Sequence, residues 1–160
     1  MSELIDNYHL GISSLINKKR MKSMEMTDIL YETIVEEIKN HYPKGWGGAA
    51  GVILDTGEIL TSISPSFENA ASTVCMELGA YIESARQKKN ITHSLCLMRE
   101  DENSSFQVLT PCGICQERLR LWGPSVLCGV IGNASNSKKV RYVNLSQLQP
   151  FYWGDAYNSN

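Results

Sequence analysis

Two stretches of the chain carry residues able to do chemistry together: Cys75-Met76-Glu77, and Thr110-Pro111-Cys112-Gly113-Ile114-Cys115. Cys112 and Cys115 lie three apart, so on a helix their thiols share one face. Cys75 offers a third thiol from a separate segment. Zinc takes four ligands, and three protein ligands leave one position for water, which is the catalytic pattern. Glu77 sits two residues beyond Cys75, near such a metal but not needed as a ligand. That suits it to move protons for the water. The competing reading is a structural zinc site with four protein ligands. Its fourth ligand would be Cys96, Cys128 or a histidine. His93 and Cys96 fall on one strand without ligand-pair spacing, and His9 and His41 fall in N-terminal helical segments.

A His or Cys, any residue, then Glu, followed later by Pro-Cys-x-x-Cys, is the signature of the zinc deaminases. The chain therefore resembles the cytidine deaminase superfamily, in the small branch that includes cytidine deaminase and blasticidin S deaminase. It looks especially similar to bacterial proteins of the blasticidin S deaminase type. Trp46-Gly47-Gly48-Ala49-Ala50, Val74-Cys75-Met76-Glu77 and Pro111-Cys112-Gly113-Ile114-Cys115-Gln116-Glu117-Arg118-Leu119 carry the resemblance. It spans residues 27 to 157, and the two metal motifs are its specific part.

The resemblance implies zinc on Cys75, Cys112 and Cys115, and hydrolytic deamination of cytidine or deoxycytidine to uridine or deoxyuridine plus ammonia. Glu77 would take a proton from water at the metal, pass it to the ring nitrogen beside the reacting carbon, and later protonate the departing ammonia. Such a carboxyl needs a water-poor pocket. The Met76 amide would take the pyrimidine carbonyl, Trp46 would line the pocket, and Glu68 would bind the ribose. Trp153 belongs to an aromatic tail that reaches the active site in relatives, across a subunit interface in the tetrameric ones. A homo-oligomer, tetramer or dimer, is implied in the same way. Each of these has a plainer reading: core or interface packing for Trp46 and Trp153, a solvated loop carboxylate for Glu68.

Several positions depart from the cytidine-binding pattern. Ser66-Phe67-Glu68 stands where those relatives have Asn-x-Glu, with Asn69 as an alternative polar contact, and the loop from Glu68 to Cys75 is shorter. Leu78 stands where an arginine often bonds the thiolates, and Gln116-Glu117 where Arg-Gln is common. Three thiolates on Zn²⁺ leave a net negative charge, which works against ionising water. Helix N-terminal amides can offset it, and Arg118 or Arg120 are candidates to help. These departures favour the alternative substrate, an aminopyrimidine nucleoside antibiotic such as blasticidin S or a modified cytidine.

The whole chain of 160 residues, 42% hydrophobic and 20% charged, suits one globular domain with a sizeable core. A net charge of -2 argues against a surface for polynucleotides, so the expected partner is a small pyrimidine nucleoside and not a nucleic acid polymer. The one basic run, Lys18-Lys19-Arg20 with Lys22, reads as a solvated helix end. No stretch approaches the ~20 apolar residues of a membrane span, and the N-terminal segment has no continuous apolar region of a secretory leader. A cytoplasmic protein is expected, with its five cysteines reduced or metal-bound. Cys96 and Cys128 sit in apolar runs and are expected to be buried strand residues without a chemical role.

Positioning the two motifs calls for an α/β fold: three layers, with a five-stranded mixed sheet and helices on both faces. Residues 1–26 read as an N-terminal extension with helical spacing of Leu4, Ile5, Tyr8, Ile12, Leu15 and Ile16, and 27–160 as the catalytic domain. A helix is expected over 27–41, capped by Thr27 or Asp28, then a strand over 47–54. Asp55-Thr56-Gly57 turns into a second strand over 58–63. A helix from Thr73 to about Lys88 carries Cys75 and Glu77 near its start. A strand over 92–98 and an extended lead-in over 106–109 precede a helix from about Cys112 to Trp122. Strands over 125–131 and 140–143 follow, then a short helix or turn with an aromatic tail over 145–157.

Overall fold

The computed structural model describes residues 25–132 and 140–157. The expected N-terminal helix and the basic run at 18–22 lie outside the described residues. Helix α1 spans Met26–His41. The Glu25 carbonyl accepts from the Asp28 and Ile29 amides, so the helix begins a residue earlier than its capping signals suggest. Glu25 takes the N-cap position without a side-chain bond, and Thr27 and Asp28 fall within the first turn. Asp28 there favours the positive end of the helix dipole.

Six strands form one sheet: β1 Gly47–Leu54, β2 Ile59–Ser62, β3 Ile91–Arg99, β4 Gln107–Leu109, β5 Leu127–Ile131 and β6 Val140–Asn144. The order β2-β1-β3-β5-β6 is the expected five-stranded path, mixed because β3 and β5 run parallel and the other neighbours antiparallel. The lead-in before Pro111 is a sixth strand, β4, paired with Cys96, Leu97 and Met98 of β3. It finds a place because β5 pairs with β3 only at His93 and Ser94. The rest of that β3 edge is open to β4, which is thereby aimed at the Cys112 loop.

The two faces of the sheet are covered differently. On one side α1 presents Leu30, Ile34, Val35 and Ile38 to Ala49, Ile53, Leu95 and Leu97. On the other lie α2 (Leu78–Arg86), α3 (Gly113–Leu119) and α4 (Leu145–Leu148). Their Ala80, Tyr81, Cys115, Leu119 and Leu145 pack with Val52, Leu54, Ile91 and Cys128. This is the expected three-layer arrangement. β1 lies between the layers and every one of its residues is buried, as a strand covered on both faces must be. The hairpin turn behaves as its sequence requires, with Gly57 at φ +82°. Among the described residues, no helix is long and apolar enough to cross a membrane.

Gly51 lets α1 approach β1: a Cβ there would lie 2.9 Å from Leu30 Cδ1 and 3.0 Å from Ile34 Cγ1. Overpacking of this kind costs about 1–3 kcal/mol. Gly51→Val should therefore lower the midpoint of denaturant unfolding at constant slope. A variant as stable as the parent would contradict this packing.

Candidate metal centre and catalytic cleft

The Sγ atoms of Cys75, Cys112 and Cys115 lie within 4.8 Å of one another, the sole such cluster of possible ligands among the described residues. Cys75 and Cys112, 37 positions apart in sequence, have their sulfurs 3.4 Å apart. A tetrahedral ion with Zn–S bonds of about 2.3 Å sets its sulfurs about 3.8 Å apart, so the three thiols suit zinc. Four-thiolate closure is absent: Cys96 and Cys128 are buried on β3 and β5 and stand outside the cluster. The competing structural-site reading thus lacks its fourth cysteine. His93 lies elsewhere too, its ring edge-on to Tyr142 and its Nδ1 3.0 Å from Thr92 Oγ1.

Local structure explains how the sulfurs converge. Cys112 is the N-cap of α3, extended at φ -67° and ψ 166°, and Cys115 is the third helical residue. The helix expected to begin at Cys112 thus starts one residue later, and its last turn, Arg120–Trp122, tightens to a 3-10 helix. Cys115 is fully buried, while Cys112 is exposed. Gln116 Nε2 donates to the Pro111 carbonyl at 2.8 Å and so ties the ligand loop to α3. Cys75 comes from an extended segment, and the expected helix start at Thr73 is corrected here. Ala70–Ser72 form a single 3-10 turn, and α2 begins only at Leu78, with Glu77 as its N-cap.

Charge and burial act differently on the three thiols. Burial pushes Cys115 up, followed by the nearby Glu77 carboxylate. Burial likewise raises Cys75, with Cys112 as its thiol neighbour. At Cys112 burial is the largest single influence and also raises it, yet the net direction is down. The backbone amide of Cys115, hydrogen bonding with the Cys75 and Cys115 thiols, and the Ile114 amide together favour its thiolate. Neither amide closes a full capping hydrogen bond. Helix-start amides thus contribute to the thiolate at Cys112, and Arg118, the other candidate, has a buried Nη1 without a hydrogen-bond partner. Arg120 serves elsewhere: it donates to Gln149 Oε1 at 2.7 Å and lies 3.8 Å from the centre of the Tyr152 ring.

A cleft of about 310 Å³ opens over the cluster, lined by Trp46, Ser64, Val74, Cys75, Met76, Glu77, Cys96, Leu109, Thr110 and Cys112. Its size suits a small ligand. Glu77 is 5% exposed, a carboxylate held in the wall beside two of the thiols. Met76 crosses β1 at Gly48, where a Cβ would stand 2.6 Å from its Sδ and 3.2 Å from Trp46 Cη2. Trp46 is half-exposed and edge-on to Tyr42. Cys96, expected to be plain core, is buried as anticipated but also faces the cleft.

Other residues singled out by sequence do not line this cleft. Ser66, Glu68 and Asn69 are exposed, and Asn69 Oδ1 accepts from the Ala71 amide at 3.0 Å. Trp153 is 64% exposed and donates through Nε1 to Glu117 Oε2 at 3.2 Å. Conversely, sequence reasoning gives Ser64 and Leu109 no part in a site and names Val74 and Thr110 only as members of their motifs, yet all four line the cleft. Thr110 adjoins the Pro-Cys motif, and Ser64 alternates with Ser62 along an apolar strand pattern. Those were the available signals.

No protein-family model and no curated protein matches the chain. Among solved structures it is similar to the cytidine deaminase from Bacillus anthracis, with 42% identity, 84% of this chain and 94% of that one covered, and a TM-score of 0.78. The cytidine deaminase from Mycobacterium leprae shares the fold at 20% identity, with coverages of 77% and 96% and a TM-score of 0.55. That from Mycobacterium tuberculosis does so at 22% identity, with coverages of 68% and 80% and a TM-score of 0.51.

Because metal binding at such a cluster is also folding free energy, Cys112→Ser should lose bound zinc and melt at a lower temperature than the zinc-loaded parent. Full zinc content with a parental melting temperature would remove Cys112 from the ligand set.

Proposed function

The chain belongs to the cytidine deaminase family, and we propose that it is a zinc-dependent hydrolase that converts cytidine or deoxycytidine to uridine or deoxyuridine and ammonia. The observation that carries the reading is the buried Glu77 carboxylate, set in the wall of the cleft that also bears Cys75 and Cys112. Glu77 makes no side-chain capping bond to α2, so the helix dipole is its plainer use; beside three thiols suited to a metal, proton transfer accounts better for a carboxylate buried in the cleft wall.

Bound at the three thiols, zinc would acidify a water molecule and so supply the nucleophile at neutral pH. The rest falls to the protein. Glu77 takes the proton that the attacking water gives up and delivers it to the ring nitrogen next to the amine-bearing carbon. It then takes the second proton, from the hydroxyl now on that carbon, and gives it to the amine as the carbon–nitrogen bond breaks, so one water enters and one ammonia leaves. Trp46 and Met76 flank the space for a flat ring, and the Met76 amide is assigned to the pyrimidine carbonyl. The buried setting of Glu77 keeps bulk water away from the proton it carries.

Glu68, with Ser66 or Asn69, is assigned to the ribose, and Trp153 to the open side of the base. All four lie outside the cleft of a single chain. Trp153 would reach a substrate across a contact between copies, in a homotetramer or dimer. The unpaired state of all five cysteines supports a reducing, cytoplasmic setting.

A second substrate class is favoured by one observation: Ser66, Glu68 and Asn69, assigned to the ribose, are exposed and do not line the cleft. An aminopyrimidine nucleoside with a different sugar, such as blasticidin S, or a modified cytidine, would need less from them.

Glu77→Gln should keep its zinc and lose ammonia release from cytidine by about 10²- to 10⁴-fold. Undiminished release by the variant would rule out the assigned role. If the parent deaminates blasticidin S and not cytidine, the chemistry stands and the substrate assignment changes.

A further inference from the structure

Immediately before α2 the chain departs from its local preference. The segment from Thr73 has helical spacing, yet the first helical residue is Leu78. The hydrogen bonds show what intervenes. In a helix that began earlier, the Met76 carbonyl would accept the amide of Ala80, four residues on. Here the Ser62 hydroxyl stands between them. It donates to the Met76 carbonyl at 2.6 Å and accepts from the Ala80 amide at 3.0 Å. Ser64, two residues further along the same stretch, donates through Oγ to the Val74 carbonyl at 2.7 Å. The carbonyls on either side of Cys75 are thus both held by serines from β2 and the residues that follow it.

The neighbouring groups complete the device. The Cys75 carbonyl accepts from the Leu78 amide at 3.1 Å, and the Glu77 carbonyl from the Tyr81 amide at 3.2 Å. Every carbonyl from Val74 to Glu77 therefore has a partner, although this stretch precedes the helix. Gly79 makes room for the serine, since a Cβ at that position would stand 2.8 Å from Ser62 Cβ. Serine hydroxyls that bond nearby backbone groups compete with helix formation, and this one does so from a different strand.

We propose that Ser62 and Ser64 are positioning residues of the active site. By holding the Met76 and Val74 carbonyls they keep residues 74–76 out of α2 and set Glu77 as its N-cap. They thereby fix the Glu77 carboxylate and the Met76 amide at the cleft beside Cys75. Ser62 is not among the residues that line the cleft, so it acts through the backbone alone. The effect on turnover rests on the deaminase reading of Glu77; the effect on the backbone does not. Without the Ser62 hydroxyl, the Met76 carbonyl and the Ala80 amide are left to bond directly. Glu77 is already helical at φ -73° and ψ -23°, so closing that bond tightens the turn before it into α2 and draws the Glu77 side chain off its place in the cleft wall.

The test is Ser62→Ala in the full chain loaded with zinc. The kcat for cytidine should fall by about 10- to 100-fold, the range typical of groups that orient a metal site from outside it. Zinc content and melting temperature should stay near parental values, because a direct helix bond replaces the two lost ones, while KM rises as the Met76 amide shifts. The Ala80 amide should become better protected against hydrogen exchange. Ser62→Thr, which keeps the hydroxyl, should recover most of kcat. An unchanged kcat in Ser62→Ala overturns the proposal. So does a loss of zinc and melting temperature in step with activity, which marks a merely structural serine. If the parent itself releases no ammonia from cytidine, the deaminase reading fails separately, and exchange at Ala80 decides the matter. Greater protection in Ser62→Ala upholds the positioning role, and unchanged protection ends it.

Discussion

Three sulfurs from two distant segments meet within 4.8 Å of one another, close enough to share one ion, and much of the structure serves to bring them there. The 3.4 Å approach of Cys75 to Cys112 brings together the start of α2 and the start of α3. Without a metal this is an awkward arrangement, since thiolates repel and buried thiols hold their protons. Metal binding resolves both by displacing the protons, which ties the ion to the stability of the fold. The sheet supplies the rigid base. β1 and β3 lie buried between two layers, and β4 uses the outer edge of β3 to deliver Pro111 and Cys112.

The same geometry separates the duties of the residues around the ion. Cys115 is sealed beneath the cleft, while Cys75 and Cys112 border it. Amides at the α3 start lean the balance of charge towards a thiolate at Cys112. Glu77 stays close enough to influence Cys115 and also lines the cleft. Trp46 and Met76 lie together over Gly48. An indole, a thioether and a carboxyl thus border one cleft above the thiols.

Elements governed by local pattern were legible in the sequence. The α1 stripe of Leu30, Ile34 and Ile38, the Asp55-Thr56-Gly57 turn and the metal motifs each depend on residues close to one another in the chain. Elements decided by distant partners were not. The start of α2 is set by Ser62 and Ser64, which belong to another strand region, so the run from Thr73 looks helical by itself. β4 has three residues and no telling periodicity; its pairing depends on where β5 leaves β3. A ribose role for Ser66, Glu68 and Asn69 rests on resemblance alone, and in the single chain these residues are exposed and do not line the cleft. The N-terminal 24 residues fall outside the described structure.

The central claim is that a metal on these three thiols turns the cleft into a deaminase. It is tested most directly by stripping the purified protein with a chelator, reloading it with zinc, and measuring uridine and ammonia formed from cytidine at each stage. The account predicts equal amounts of the two products from the loaded protein, none after stripping, and recovery at one zinc per chain. Turnover that survives complete removal of metal would contradict it.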